Sequence, residues 1–149
     1  MIVRRASGAD VAVLAGLRGV DGGRLSAYTE WVAAHAETHL PFVAEMDGRV
    51  VGAAWLHVAR RVPSNDSLDR WYGDIQSVEV REDYRNRGVG SALMAAILAE
   101  ARVRGLLHVT VHSSRRAVDF YLRNGFRHDR QILLWELTAS RSDPSTATA

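Results

Sequence analysis

The sequence contains no cysteine, only three prolines and few aromatic residues, 7% of the chain. The missing thiols exclude disulfides and every metal site built on thiolates. No apolar run approaches the roughly 20 residues that a membrane-spanning helix needs. Neither sign of charge dominates: 19 basic residues face 17 acidic ones for a formal net charge of +2, so the bulk charge points to no nucleic-acid surface. The opening Met1-Ile2-Val3-Arg4-Arg5 lacks the apolar centre of a secretory signal, and a cytoplasmic setting is expected. What is present, 47% hydrophobic and 24% charged residues over 149 positions, has the balance of a globular domain with one core.

The pattern along the chain alternates strand and helix signals. Ile2–Arg5 reads as a short strand. Ser7 and Asp10 resemble a capping box opening a helix with Val11, Leu14 and Leu17 on its apolar face. After Gly22-Gly23, the positions Leu25, Tyr28, Val32, His35 and Ala36 recur at helical spacing, and Pro41 is expected to end that helix. Asp47-Gly48 between Phe42–Met46 and Arg49–Val58 is a strong hairpin signal. The polar stretch 59–74 reads as a loop leading into a strand over Asp74–Val80. A helix follows from Gly88, apolar around nearly its whole circumference, with Arg102 and Arg104 before Gly105. Leu106–His112 reads as a strand, Ser114 as the cap of a short helix ending at Asn124-Gly125, and Ile132–Leu137 as a last strand. The tail 139–149 is polar and is expected to be disordered.

This order predicts an α+β (mixed α/β) fold: one domain over 1–138, a mostly antiparallel sheet first, then a crossover whose two strands run parallel. The stretch "YRNRGVGSALMAAILAEA", 84–101, stands at that crossover. It is no P-loop, because no lysine follows the glycines, and no dinucleotide fingerprint, because Leu93 occupies the third small position. Arg85-x-x-Gly88-x-Gly90 between a strand and a helix fits a pyrophosphate instead, held by N–H groups at a helix N-terminus with arginines nearby.

Together with the preceding "IQSVEV" and the later "AVDFYLRNGF" at 117–126, this motif resembles the acetyl-CoA core of the GNAT superfamily of N-acetyltransferases. The resemblance implies a central sheet with a splayed parallel pair and helices on both faces. It also implies acetyl-CoA as co-substrate. Its pyrophosphate would lie on Arg87, Gly88, Val89, Gly90 and Ser91, with Arg85 adding charge, and its pantetheine arm along Val78, Glu79 and Val80. Tyr121 would stand near the thioester sulfur. Many family members carry asparagine where Ser114 stands, so a cofactor contact there differs.

Acetyl transfer to an amine needs a group to take the amine's proton, a donor for the carbonyl oxygen under attack, and a proton for the departing thiolate. Glu79 and Asp74 are the candidate bases, the Val80 N–H the candidate oxygen donor and Tyr121 the candidate acid. Strand alternation places Glu79 with Ser77 and Ile75, and Asp74 with Gln76 and Val78, unless a bulge intervenes. His112, at a strand end, is a further candidate proton carrier. "HAETH" at 35–39 is not His-Glu-x-x-His, and no metal is expected. Trp31, Trp55, Trp71 and Tyr72 are candidates for the wall of an acceptor pocket. The expected partner is a small-molecule or peptide amine, without nucleic acid or membrane; a homodimer stays open. The alternative function is a non-catalytic module of the same fold that holds acyl-CoA.

Overall fold

Asp47 and Gly48 both lie at positive φ, +50° and +71°, the backbone a two-residue hairpin turn requires. They join β2 (His39–Met46) to β3 (Arg49–Arg61). In the computed structural model, which describes residues 1–137, five strands make one sheet in sequential order. β1 (Ile2–Arg5), β2, β3 and β4 (Arg70–Val80) pair antiparallel, and β5 (Val109–Val111) joins β4 in parallel.

Alternation along β3 divides the two cores. Ala54, Leu56 and Val58 face the long helix α3 (Val89–Val103), where Val89, Leu93, Met94 and Ile97 are buried against them. Ala53 and Trp55 face the other way, toward Leu14 of α1 (Val11–Leu17) and Tyr28 and Val32 of α2 (Leu25–Ala34). Helices therefore cover both faces, as expected. The first turn before α1 is fixed by Asp10, whose carboxylate accepts from the Ser7 N–H (2.7 Å), the Ser7 hydroxyl (3.0 Å) and both terminal nitrogens of Arg4 (2.8 and 3.0 Å). These contacts, the Arg4 ones foremost, hold the Asp10 carboxyl well below the usual carboxylate range.

Four expectations are corrected. α2 ends at Ala34, and Pro41 lies inside β2 opposite Trp55. There its carbonyl accepts from the Ala6 N–H (2.9 Å), just past Arg5, the last β1 residue in the register, so its missing N–H ends that ladder instead of interrupting it. The loop expected over 59–74 shrinks to 62–69, because β3 and β4 continue pairing out to Arg61 and Arg70. Over that extension the Arg60 guanidinium covers the Trp71 ring at 4.3 Å, a contact a charge count does not reveal. β5 is only three residues long. Finally, 132–137 is not a strand: it pairs with none of the described strands, and Leu133, Trp135 and Leu137 are more than 80% exposed. Its apolar composition alone supplies no partner edge. The expected domain boundary at 138 and the tail 139–149 lie outside the described residues.

Candidate functional site

β4 carries an extra residue. Trp55 pairs with Ser77 and Leu56 with Ile75, leaving Gln76 unopposed in a bulge. The bulge shifts alternation by one, so Ile75, Val78 and Val80 all join the α3-side core. Asp74, Ser77 and Glu79, opposite His57, Trp55 and Ala53, share the α1–α2 side. The exception for a bulge therefore applies, and Asp74 and Glu79 share a face.

The bulge also redirects the backbone. The Gly73 N–H donates to His108 on the β5 side (2.9 Å), whereas the Arg81 N–H donates to Val51 of β3 (2.8 Å). By alternation, the N–H groups of Val78 and Val80 point away from β3. They meet no strand among the described residues there, since the β4–β5 register ends at Ile75 opposite Val111. The parallel pair is splayed beyond that point.

Into this gap opens a groove of about 520 Å³, lined by Val78, Glu79, Val80, Arg85, Gly90 and Tyr121, with Gly16 and Leu17 of α1 on its rim. Arg85 donates from Nε to the Val80 carbonyl (3.3 Å). Gly88 sits at φ +79° as the residue before α3, a left-handed conformation that favours glycine. The first α-helical bond runs from Ala92 N–H to Gly88 O (3.0 Å), so the N–H groups of Val89, Gly90 and Ser91 have no partner within the helix. Asn86 is also at positive φ, +59°, and the exposed Arg87 lies over the Tyr84 ring at 5.3 Å. Gly90 has a different reason to be glycine: a Cβ there would stand 3.0 Å from the Phe120 ring, so it clears α4 (Val118–Arg123).

Tyr121 of α4 is 9% exposed, packed edge-on between Phe120 (5.0 Å) and Phe126 (5.4 Å). Burial, and then the nearby Glu79 charge, push its phenol above the usual value, so it keeps its proton at neutral pH. Glu79 accepts from Arg18 Nη1 at 2.6 Å and from the Ser77 hydroxyl at 2.9 Å. Ser77 is the same-face neighbour that alternation puts beside Glu79, but Arg18 lies on another element, and nothing in local spacing couples it to Glu79.

Other expected residues fall elsewhere. Asp74 accepts from the Thr110 hydroxyl (3.1 Å) where β4 and β5 are still paired, outside the groove lining. Ser114 is exposed, and its side chain caps nothing; its carbonyl accepts from Ala117 N–H (3.0 Å). His112 is exposed at the end of β5. Of the four aromatics, Trp31 and Trp55 line a second cavity of about 260 Å³ on the α2 side, together with Tyr28, His39, Ser77 and Arg18. Trp71 instead donates its indole N–H to Asp69 (2.8 Å), and Tyr72 packs near His108. Among the described residues no cluster of three or more His, Cys, Asp or Glu could hold a metal ion, and no helix is long and apolar enough to cross a membrane.

Residues 15–126 match the family model described as the acetyltransferase (GNAT) family. Over 94 residues the chain is 35% identical to a glucosamine 6-phosphate N-acetyltransferase of Trypanosoma brucei brucei, covering 62% of each protein; it thus spans about three fifths of that relative's length. Its backbone superposes on a Trypanosoma brucei acetyltransferase crystal structure with a TM-score of 0.72 at 24% identity, over 91% of this chain and 99% of that one. A predicted acetyltransferase from Clostridium acetobutylicum, crystallised with acetyl-CoA, gives a TM-score of 0.72 at 16% identity over 91% and 95%.

Proposed function

The chain belongs to the GNAT acetyltransferase family, and from that membership we propose that it moves an acetyl group from acetyl-CoA to a primary amine by direct attack on the thioester. The observation that carries this reading is the splay of β4 from β5 beside the N-terminus of α3. Around one groove, two strand N–H groups and three helix N–H groups have no ladder partner among the described residues.

The residues fit the co-substrate. The N–H groups of Val89, Gly90 and Ser91, with Gly88 shaping the turn and Arg85 and Arg87 adjacent, form an anion cradle suited to a pyrophosphate. The outward N–H groups of Val78 and Val80 line the gap in which a pantetheine arm would lie as an added strand, the Val78 one suited to an amide carbonyl of that arm. Bound acetyl-CoA supplies the acetyl thioester: the amine nitrogen bonds to the acetyl carbon, the carbon–sulfur bond breaks, and the products are an amide and free CoA.

An amine of lysine-like pKa, about 10.4, arrives charged at neutral pH. Glu79 and Glu82 both line the groove; Glu79, on the splayed strand with its charge felt by Tyr121, is assigned to hold the ammonium and to take its proton, directly or through water. Val80 N–H is assigned to the carbonyl oxygen, because it points into the gap and not at β3. Tyr121, a phenol protonated at neutral pH, is assigned to give its proton to the departing sulfur. Asp74 has no such role, since its carboxylate is turned to Thr110 outside the groove.

Amine-dependent release of free CoA thiol from acetyl-CoA tests this reading. Binding of acetyl-CoA without thiol release, for any amine tried, would favour the module that holds acyl-CoA without turnover.

A further inference from the structure

The second cavity is lined by Arg18 and Ser77, the two partners of the groove's Glu79. Its floor is Gln76 and Ser77, the bulged part of β4, and Ser77 donates to the same Glu79 carboxylate that lines the groove. Arg18 lies on the cavity lining and is bonded to that carboxylate as well. The two spaces therefore adjoin at Ser77, Glu79 and Arg18. A molecule seated in the cavity needs only a short extension to bring a terminal nitrogen to Glu79.

The walls of the cavity are rings. Trp31 of α2 stacks on His35 (4.2 Å, 18°), meets His39 edge-on at 4.8 Å and approaches Trp55 of β3 at 6.5 Å. His39 in turn lies 4.5 Å from His57, and Tyr28 adds a further ring. Neighbouring rings thus hold the Trp31 indole in place, yet the residue remains 43% exposed beside the cavity. Exposure of a large apolar ring that its neighbours hold in position is a feature of binding walls rather than of cores.

Charge narrows the occupant. Arg18 is the one cation among the described residues that line the cavity, and its guanidinium is taken by Glu79 at 2.6 Å. A phosphate or carboxylate on the acceptor has to compete with Glu79 for that guanidinium. No carboxylate among the described residues lines the cavity either, so a second ammonium finds no counter-charge there. Burial and the neighbouring His57 and His35 lower the pKa of His39, which keeps that wall uncharged near neutral pH.

Resting on the acetyltransferase reading above, we propose that this cavity is the acceptor pocket and that it takes a primary amine borne by a short linker on a flat, apolar, uncharged ring. The ring lies among Tyr28, Trp31, His39 and Trp55, and the amine reaches past Gln76 and Ser77 to Glu79. Sugar phosphates and polyamines are disfavoured, although a curated relative is named for glucosamine 6-phosphate.

The test compares 2-phenylethylamine, hexylamine and glucosamine 6-phosphate, by calorimetric binding and by CoA release, on the full chain and on Trp31→Ala and Trp31→Phe. The expected result is binding and kcat/KM for 2-phenylethylamine about tenfold or more above the other two. Trp31→Ala removes that preference through KM, with the acetyl-CoA KM unchanged, and Trp31→Phe restores most of it. Circular dichroism confirms that both variants are folded. Equal binding of the three amines, a preference untouched by Trp31→Ala, or glucosamine 6-phosphate as the best acceptor overturns the proposal, and the last of these leaves the acetyltransferase reading standing. Trp31-dependent binding of 2-phenylethylamine without any CoA release upholds the ligand class and overturns the acetyltransferase reading instead.

Discussion

Arg18 Nη1 lies 2.6 Å from Glu79 Oε1, tying the end of α1 to the edge of the splayed strand across 61 positions of sequence. Their side chains are 46% and 22% exposed, so the pair contributes little to stability, roughly 0–1 kcal/mol. Its consequence is positional. It fixes the carboxylate where the groove and the ring-walled cavity meet.

Arg18→Gln is therefore expected to leave the melting temperature nearly unchanged and to lower kcat/KM for the amine about tenfold. Glu79→Gln is expected to lower kcat by about 10²–10⁴, the usual contribution of a positioned base, with the acetyl-CoA KM preserved. Steady-state kinetics with both substrates varied check this; equal losses with Asp74→Asn would remove the distinction between the two carboxylates.

The two glycines of the α3 entrance should respond differently. Gly88 is at φ +79° with open space around its Cα, so Gly88→Ala strains the backbone by about 1–2 kcal/mol and disturbs the anion cradle, raising the acetyl-CoA KM. Gly90→Ala pushes a Cβ against the Phe120 ring at 3.0 Å. Its effect is expected in the packing of α4 first: a lower melting temperature and a smaller kcat, because Tyr121 moves with that helix. Thermal melts paired with kinetics separate the two patterns.

Tyr121→Phe keeps the ring between Phe120 and Phe126 and removes the proton donor. Expected are an unchanged acetyl-CoA affinity and a kcat lower by about 10²-fold or more. Since the phenol is raised above 10 in the fold, the unfolded chain ionises first as pH climbs. Native stability conferred by the neutral Tyr121 is whole below about pH 10 and falls above it. Melts at pH 9 and 11 of the wild type and Tyr121→Phe should diverge only at the higher pH.

His39 shifts the opposite way. Its pKa is lowered by burial and by His57 and His35, and its Nδ1 lies 3.0 Å from the Thr38 hydroxyl. The unfolded chain takes up the proton first as pH drops below about 6.5, so the stability owed to neutral His39 is present above that value and is lost on acidification through the lower folded pKa. Melting curves at pH 7.5 and 5.5 are expected to show a smaller acid loss for His39→Gln than for the wild type.

Much of this architecture is legible in local residue choices. Asp47-Gly48 turns the hairpin, Gly88 breaks φ before α3, and Gly105 at φ +63° follows the last turn of that helix, each because few other residues tolerate the conformation. What escapes the sequence depends on partners distant along the chain. The bulge at Gln76 arises from the register between β3 and β4, and it decides which strand N–H groups face the groove and which carboxylates share a side. Pro41 reads as a helix stop but sits at the last bond of the β1–β2 ladder, which its missing N–H ends. The apolar 132–137 segment has the composition of a strand, yet composition cannot supply an edge to pair with. In the candidate site, Gly88 follows from the glycine motif before the helix, Tyr121 from the family resemblance and Ser77 from strand alternation, whereas Arg18 and His39 join them only through the packing of α1 and α2 on the sheet.

The account is tested most directly by incubating the protein with acetyl-CoA and 2-phenylethylamine and measuring free thiol and N-acetylated amine together. It predicts that both products accumulate in a one-to-one ratio, depend on the amine, and fall at least about 10²-fold with Glu79→Gln. Acetyl-CoA that binds with its thioester intact, at the hydrolysis rate of buffer alone whatever primary amine is added, would contradict it.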